Sequence, residues 1–446
     1  MPTLGWLIFA ALLLLASSFL SGWIRRAPIT TFAVYLLAGI VVGPGILDLA
    51  HLTLSPDHAR VLRAASEAAM VCSLFVTGLK LRVHFRDKAW RVALRLAVGG
   101  MVLTAAAVTG AAMAWLDYPL AWALALAAIV SPTDPVLASL VSVDDARDDD
   151  GLRVAISGEA GLNDATALPL LVLALMLTGQ QPAPFDSIGG WLGIGVLWGL
   201  AAGLVIGLAG GWGLGYLGTR LRHATRDVAP SDFLALGIMI GVYALAESLH
   251  ASGFLAAFAA GVGLRRVELD LSKRSSGEEA TDAVDTEPAE TLVRPNERGS
   301  ATVEHAGHSV GWVVSDALSF GGTMERLIAA GIVLAVGIAA LPALSWVGLG
   351  VAAVLMLVIR PLAVWVCTIG TGIPWQRKLL IGWFGIRGLG SLNYLAFAIV
   401  MGLHGPQLPH LQGVVITVVA ISILVHGISV TPLMRWRERK LARRTN

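Results

Sequence analysis

Ser157-Gly-Glu-Ala-Gly-Leu-Asn-Asp-Ala-Thr-Ala-Leu-Pro169 sets two carboxylates and an amide in the middle of an apolar run from Val154 to Thr178. The run is about 25 residues long, and at about 1.5 Å per residue it crosses a hydrocarbon core of about 30 Å. Asp164 then falls near mid-depth. An ionisable group there costs roughly 2.5 to 3.5 kcal/mol on insertion scales, so its default reading is an ion or proton site facing the protein interior. Glu159 and Asn163 are four apart and share a helix face, with Asp164 one position further round. Pro169 has no N–H, which leaves the Ala165 carbonyl without its helical partner and free to face a ligand. The competing reading is a polar contact between two helices.

Outward from this stretch, the composition places the whole chain in a bilayer. Of 446 residues, 56% are hydrophobic and 14% charged, and the mean hydropathy is +0.74, too apolar for a solvated surface. The expected fold class is an all-α polytopic membrane protein. A net charge of +2 offers no electrostatic case for nucleic acid. Cys72 and Cys367 both lie in apolar runs and read as small buried hydrophobes rather than a disulfide or metal framework. The first apolar run, Leu4 to Leu20, has Arg25 and Arg26 after it and no basic residue before it. A signal peptide has the opposite arrangement, so this run reads as a spanning helix with its N-terminus outside.

Thirteen spans can be drawn: 4–23, 30–48, 60–79, 92–116, 119–141, 154–178, 188–218, 231–248, 251–264, 325–341, 346–369, 376–402 and 412–434. With the N-terminus outside, nearly all loop arginines and lysines fall on the cytoplasmic side, and only Arg60 and Arg63 fall outside. Residues 1–264 and 323–434 are then membrane domain, and 435–446 is a basic cytoplasmic tail suited to anionic lipid headgroups. Residues 265–322, rich in Ser, Glu, Asp, Thr and Pro, read as a disordered cytoplasmic loop. The aspartates of the acidic 144–150 loop favour the N-terminus of the helix that follows. Ala38-Gly-Ile-Val-Val-Gly-Pro-Gly45 reads as a small-residue packing face. Arg360 and Arg387, within or at the edge of spans, call for carboxylate partners.

The fifth span contains Ser131-Pro-Thr-Asp-Pro135. Its two prolines free the carbonyls of Ala128 and Ser131 and break the helix at mid-membrane. Irregular backbone at that depth is tolerated only inside protein or beside a cavity. The freed carbonyls, the Thr133 hydroxyl and the Asp134 carboxylate are hard oxygen ligands suited to a small monovalent cation; a ligand-free kink is the alternative. The twelfth span, Gly382-Trp-Phe-Gly-Ile-Arg-Gly-Leu-Gly-Ser391, is weakened by four glycines around Arg387. Broken helices seven spans apart are what two inverted six-helix repeats, spans 1–6 and 8–13, would produce.

Taken together, Ser131-Pro-Thr-Asp-Pro135, Gly158-Glu-Ala-Gly-Leu-Asn-Asp-Ala165, Arg360-Pro361 and Gly385-Ile-Arg-Gly388 resemble the monovalent cation:proton antiporter family, the NhaP-like sodium/proton exchangers. The resemblance implies a transport site at Asn163, Asp164, Thr133 and Asp134 and an ion pair between Glu159 and Arg360. It matches Arg387 to the arginine of the family's broken twelfth helix. It also implies a homodimer in a bacterial inner membrane, working on a cation and a proton with no cofactor. Two departures stand out: Ala160 replaces a serine common in relatives, and Val76-Thr77 replaces a third-helix glutamate found in some. Both affect oxygen ligands near the ion, so sodium is expected while lithium and potassium stay open.

Counting charges, Asp134, Glu159 and Asp164 oppose Arg360 and Arg387, which leaves one carboxylate for a proton or a cation to neutralise. Competition at Asp164 then gives electroneutral one-for-one exchange, as the Asn-Asp pair also implies by resemblance. A channel is the first rival class. An aspartyl hydrolase using Asp134 and Asp164 is the second, but the chain carries no Gly-Leu-Gly-Asp, His-Glu-x-x-His or Gly-x-Ser-x-Gly signature. A transporter, not an enzyme, is the expected class.

Overall fold

Local sequence sets where the helices begin. Ser55 accepts a hydrogen bond from the His58 amide ahead of Pro56 at the first helical position, and Asp87 does the same for Ala89. Asp150 accepts from the Leu152 amide at 2.8 Å, so one aspartate of the acidic loop does cap the next helix. In the computed structural model, residues 3–19, 22, 27, 29–84, 86–180, 185, 187–225, 231–275, 287–293 and 306–445 are described. Arg25 and Arg26 lie outside them.

The described residues form helices and no strand. In chain order they are α1 (Thr3–Phe19), α2 (Thr31–Val42), α3 (Pro56–Lys80), α4 (Lys88–Leu116), α5 (Leu120–Val130), α6 (Gly151–Thr178) and α7 (Ile188–Leu221). They continue with α8 (Asp232–Ser248), α9 (Gly253–Ser275), α10 (Ala306–Ala340), α11 (Trp346–Cys367), α12 (Trp375–Trp383), α13 (Leu389–Val400) and α14 (Leu408–Thr445). Seven of these helices are long and apolar enough to cross a bilayer unaided. The protein is an all-helical, multi-pass membrane protein. The fifth and twelfth stretches are both broken, between α5 and a short turn at Leu137–Leu140, and between α12 and α13.

One group of helices, α2, α3 and α7 to α10, packs through small residues. A β-carbon at Gly78 of α3 would collide with the Phe258 carbonyl of α9, and one at Gly261 of α9 with the Phe75 carbonyl of α3. Gly39 and Gly337 make the same reciprocal approach between α2 and α10, so the Ala38–Gly45 run is a packing face. In a bilayer, where apolar burial drives little association between helices, such close backbone contact is a main source of cohesion. The other group, α4 to α6 with α11 to α14, surrounds the two breaks.

The expectation of a disordered loop over 265–322 is corrected for its described residues, 265–275, 287–293 and 306–322. Helix α9 runs on to Ser275, α10 begins at Ala306, and residues 287–293 fold against them. Composition counts these charges as solvated, but they neutralise one another. Arg265, 1% exposed, reaches Glu290 at 2.8 Å and Glu268 at 3.3 Å, while Arg82 reaches Glu268 at 3.2 Å. Glu268 also accepts from the Ala289 amide, which ties the 287–293 segment down. Residues 276–286 and 294–305 lie outside the described set.

The α3–α9 crossing yields a direct test. Gly261→Val should drive the two helices apart and lower the thermal unfolding midpoint in detergent, at an overpacking cost of about 1–3 kcal/mol. Gly331→Ala, where no atom lies within 4 Å of the new methyl, should leave the midpoint unchanged or raise it.

Candidate functional site

The two breaks cross each other. The Asp134 amide donates to the Ile386 carbonyl at 2.9 Å. Asp134 Oδ1 accepts from the Leu137 amide and Oδ2 from the Gly390 amide, each at 3.1 Å. One carboxylate thereby serves the first turns of two short helices, where unpaired N–H groups and the helix dipole favour negative charge. Gly388 is required by this crossing, because a β-carbon there would meet Leu137 and Asp134 Oδ2. Gly385 is crowded in the same way by the Arg360 guanidinium.

Arg387 serves the opposite ends. It is fully buried, and its Nη1 donates to the Ser131 carbonyl that Pro135 leaves without a helical partner. Its amide donates to Ser422 Oγ at 2.8 Å. The expected carboxylate partner is absent among the described residues, and Nε and Nη2 make no hydrogen bond there. The positive charge instead lies at the C-terminal end of α5, where the helix dipole favours a cation. Arg360 and Glu159 do form a two-pronged ion pair, with Nη1 to Oε1 at 2.6 Å and Nη2 to Oε2 at 2.7 Å. Both are buried.

Beside this crossing, α6 presents Asn163 and Asp164, both buried. Asn163 Nδ2 donates to Thr133 Oγ1 at 2.7 Å and to the Thr133 carbonyl at 3.2 Å, joining α6 to the first break. Tyr394 of α13 donates to Asp164 Oδ1 at 3.0 Å. Asp164 Oδ1 also lies 3.7 Å from the β-carbon position of Gly390, whose amide holds Asp134. Gly390 thus stands between the two aspartates. The structure brings Thr133, Asp134, Asn163 and Asp164 together, yet their acceptors are not equally engaged. Asp164 Oδ2 and Asn163 Oδ1 are buried with no hydrogen-bond partner among the described residues, as are the Ser131 and Ser391 hydroxyls. Buried oxygens are normally satisfied, and a set of this kind suits a proton or a hard cation.

Sequence reading missed Tyr394. Its signal was a phenol within an apolar run, four residues after Gly390 and therefore on the same helix face. It also missed the Ser66 Oγ to Asn393 Oδ1 bond at 3.0 Å, which joins α3 to α13.

A family model described as "Sodium/hydrogen exchanger, transmembrane" matches residues 11–285 and 315–436 of the chain. A K(+)/H(+) antiporter named NhaP2 from Shewanella sp. (strain MR-4) is 27% identical over 96% of the chain. The chain spans 66% of that relative's length. A Na(+)/H(+) antiporter named NhaH from Halobacillus dabanensis is 26% identical, with 90% of each chain covered. Among solved structures, the sodium proton antiporter MjNhaP1 from Methanocaldococcus jannaschii has a similar fold, with a TM-score of 0.65 at 16% identity. That likeness covers 97% of this chain and 98% of that one.

The buried ion pair can be tested without any transport assay. Glu159→Ala leaves Arg360 buried and unpaired and should cost about 3–5 kcal/mol, whereas the double change Glu159→Leu with Arg360→Met should recover most of it. Thermal unfolding of the three proteins in detergent checks this. Equal midpoints for wild type and Glu159→Ala would contradict it.

Proposed function

The chain belongs to the sodium/hydrogen exchanger family, and on that footing we propose that it exchanges one monovalent cation for one proton across the membrane, with Asp164 as the group both ions share. The observation that carries this reading is the Asp164 carboxylate itself: buried, held at one oxygen by Tyr394, and open at the other. Arg360 cancels Glu159. Asp134 and Arg387 are opposed across the crossed helix ends. Asp164 is left as the net charge that must be neutralised before the site can change sides.

A proton on Oδ2 removes that charge. So does a cation held by Asp164 and Asn163 Oδ1, with Thr133 and Asp134 shaping the site through their bonds to Asn163 and Gly390. Holding both ligands is disfavoured, because the carboxylate has one charge to give. Exchange is then electroneutral, and alternating access comes from movement of the helices around the breaks against α2, α3 and α7 to α10. The relatives' names divide between potassium and sodium, and an oxygen-only donor set accepts either. We place thirteen crossings in two inverted repeats, with the N-terminus outside and the basic end of α14 in the cytoplasm, because the loop arginines and lysines gather on that side. A homodimer in the cytoplasmic membrane completes the reading.

Everted vesicles carrying a pH-sensitive dye test it. Sodium, potassium or lithium added to an acid-loaded vesicle should restore the dye signal at a rate independent of membrane potential, and Asp164→Asn should abolish this without lowering the unfolding midpoint. Exchange retained by Asp164→Asn would overturn the assignment.

A further inference from the structure

A second buried carboxylate lies near Asp164 and takes no part in the exchange just described. Glu325 of α10 is 8% exposed, so it is largely withdrawn from lipid and water without being sealed. It forms no ion pair among the described residues. The hydroxyl that faces it is that of Ser73, on the neighbouring helix α3. The helices meet here because Gly321, one turn before Glu325, lets Val76 fill the place of a side chain.

The position of Glu325 relative to Asp164 follows from α3. Met70 Cε lies 3.9 Å from the β-carbon position of Gly390, and Asp164 Oδ1 lies 3.7 Å from the same point. Met70 therefore marks the level of the exchange site. Ser73 is three residues further along α3, about 4.5 Å in rise, toward Lys80 at the end of the helix. Measured along the α3 axis, Glu325 is consequently about one helical turn from the level of Asp164, toward the Lys80 end. The charged or titratable groups around it are Lys80 and Cys72 from α3, Asp134 from the first break and Arg326 from its own helix. Lys80, about two turns beyond Ser73 on α3, is the nearest-acting positive charge, yet it forms no ion pair with Glu325 among the described residues.

We infer that Glu325 is a second cation- and proton-accepting group, with Ser73 as its oxygen co-ligand, through which ions entering from the Lys80 side reach Asp164. This rests on the exchange reading above and adds a sidedness that Asp164 alone does not produce. An acceptor about one turn before the exchange site offers an incoming cation a first carboxylate at one mouth only. It also gives the departing proton a place to rest before it reaches water.

Proteoliposomes of defined orientation test the inference. In Glu325→Gln, the apparent affinity for cation presented at the Lys80 side should fall about tenfold and that at the opposite side by less than about twofold, with Glu325→Asp recovering most of the loss. Equal losses on both sides, or no loss on either, would overturn it. So would failure of Glu325→Gln to fold, since a carboxylate outside any ion pair loses little by becoming an amide. A binding arm separates this inference from the exchange reading. In Asp164→Asn, added sodium or potassium should still raise the unfolding midpoint, and the rise should vanish in the Asp164→Asn, Glu325→Gln double variant. Wild-type protein that moves no cation would sink the exchange reading. A stabilisation unchanged in the double variant would sink the role of Glu325.

Discussion

The structure depends on how two interrupted helices can cross inside a bilayer. Each interruption exposes carbonyls at one end and amides at the other, and no water is available to satisfy them. Two side chains of opposite charge resolve this. Asp134 accepts from amides at the starts of the Leu137–Leu140 turn and α13, and Arg387 donates to the Ser131 carbonyl at the end of α5. Neither needs the other as an ion-pair partner, because each is matched to helix ends of the opposite sign. Gly388 makes the arrangement sterically feasible by letting Asp134 and Leu137 approach the second break.

Once the crossing is neutral in itself, the charge on α6 becomes decisive. Glu159 is spent on Arg360. Asp164 is fixed by Tyr394, while its other oxygen has no hydrogen-bond partner among the described residues. Asn163, anchored through its amide nitrogen to Thr133, has a buried carbonyl oxygen without a partner among the described residues. A rigid scaffold and an unsatisfied acceptor therefore coexist within two adjacent residues. That combination is what the proposed exchange at Asp164 rests on.

Much of this was legible in the sequence because proline, glycine and mid-membrane charge have few innocent uses in a bilayer. Pro132 and Pro135 marked the first break, the glycines from Gly382 to Gly390 the second, and Asp164 the buried carboxylate beside them. The partner of Arg387 was not legible, because counting charges looks for a carboxylate and overlooks a carbonyl released by proline. Tyr394 was hidden for a related reason: in an apolar helix a tyrosine reads as core until its neighbour is known. The segment from Arg265 to Glu290 misled composition over its described residues, 265–275 and 287–290. Its acids and bases look solvated one by one, and Arg82, which shares Glu268, stands 186 positions earlier in the chain. Burial of such a cluster is set by tertiary pairing, which no local window contains.

The claim at the centre is that a proton and a metal ion are alternative occupants of one carboxylate. Proton release on cation binding measures this without transport, using purified protein in weakly buffered detergent with a pH dye. Adding sodium or potassium to protein with Asp164 protonated should release about one proton per chain, and the apparent cation affinity should weaken about tenfold for each unit of lower pH. Cation binding with no proton released, or with an affinity indifferent to pH, would contradict it.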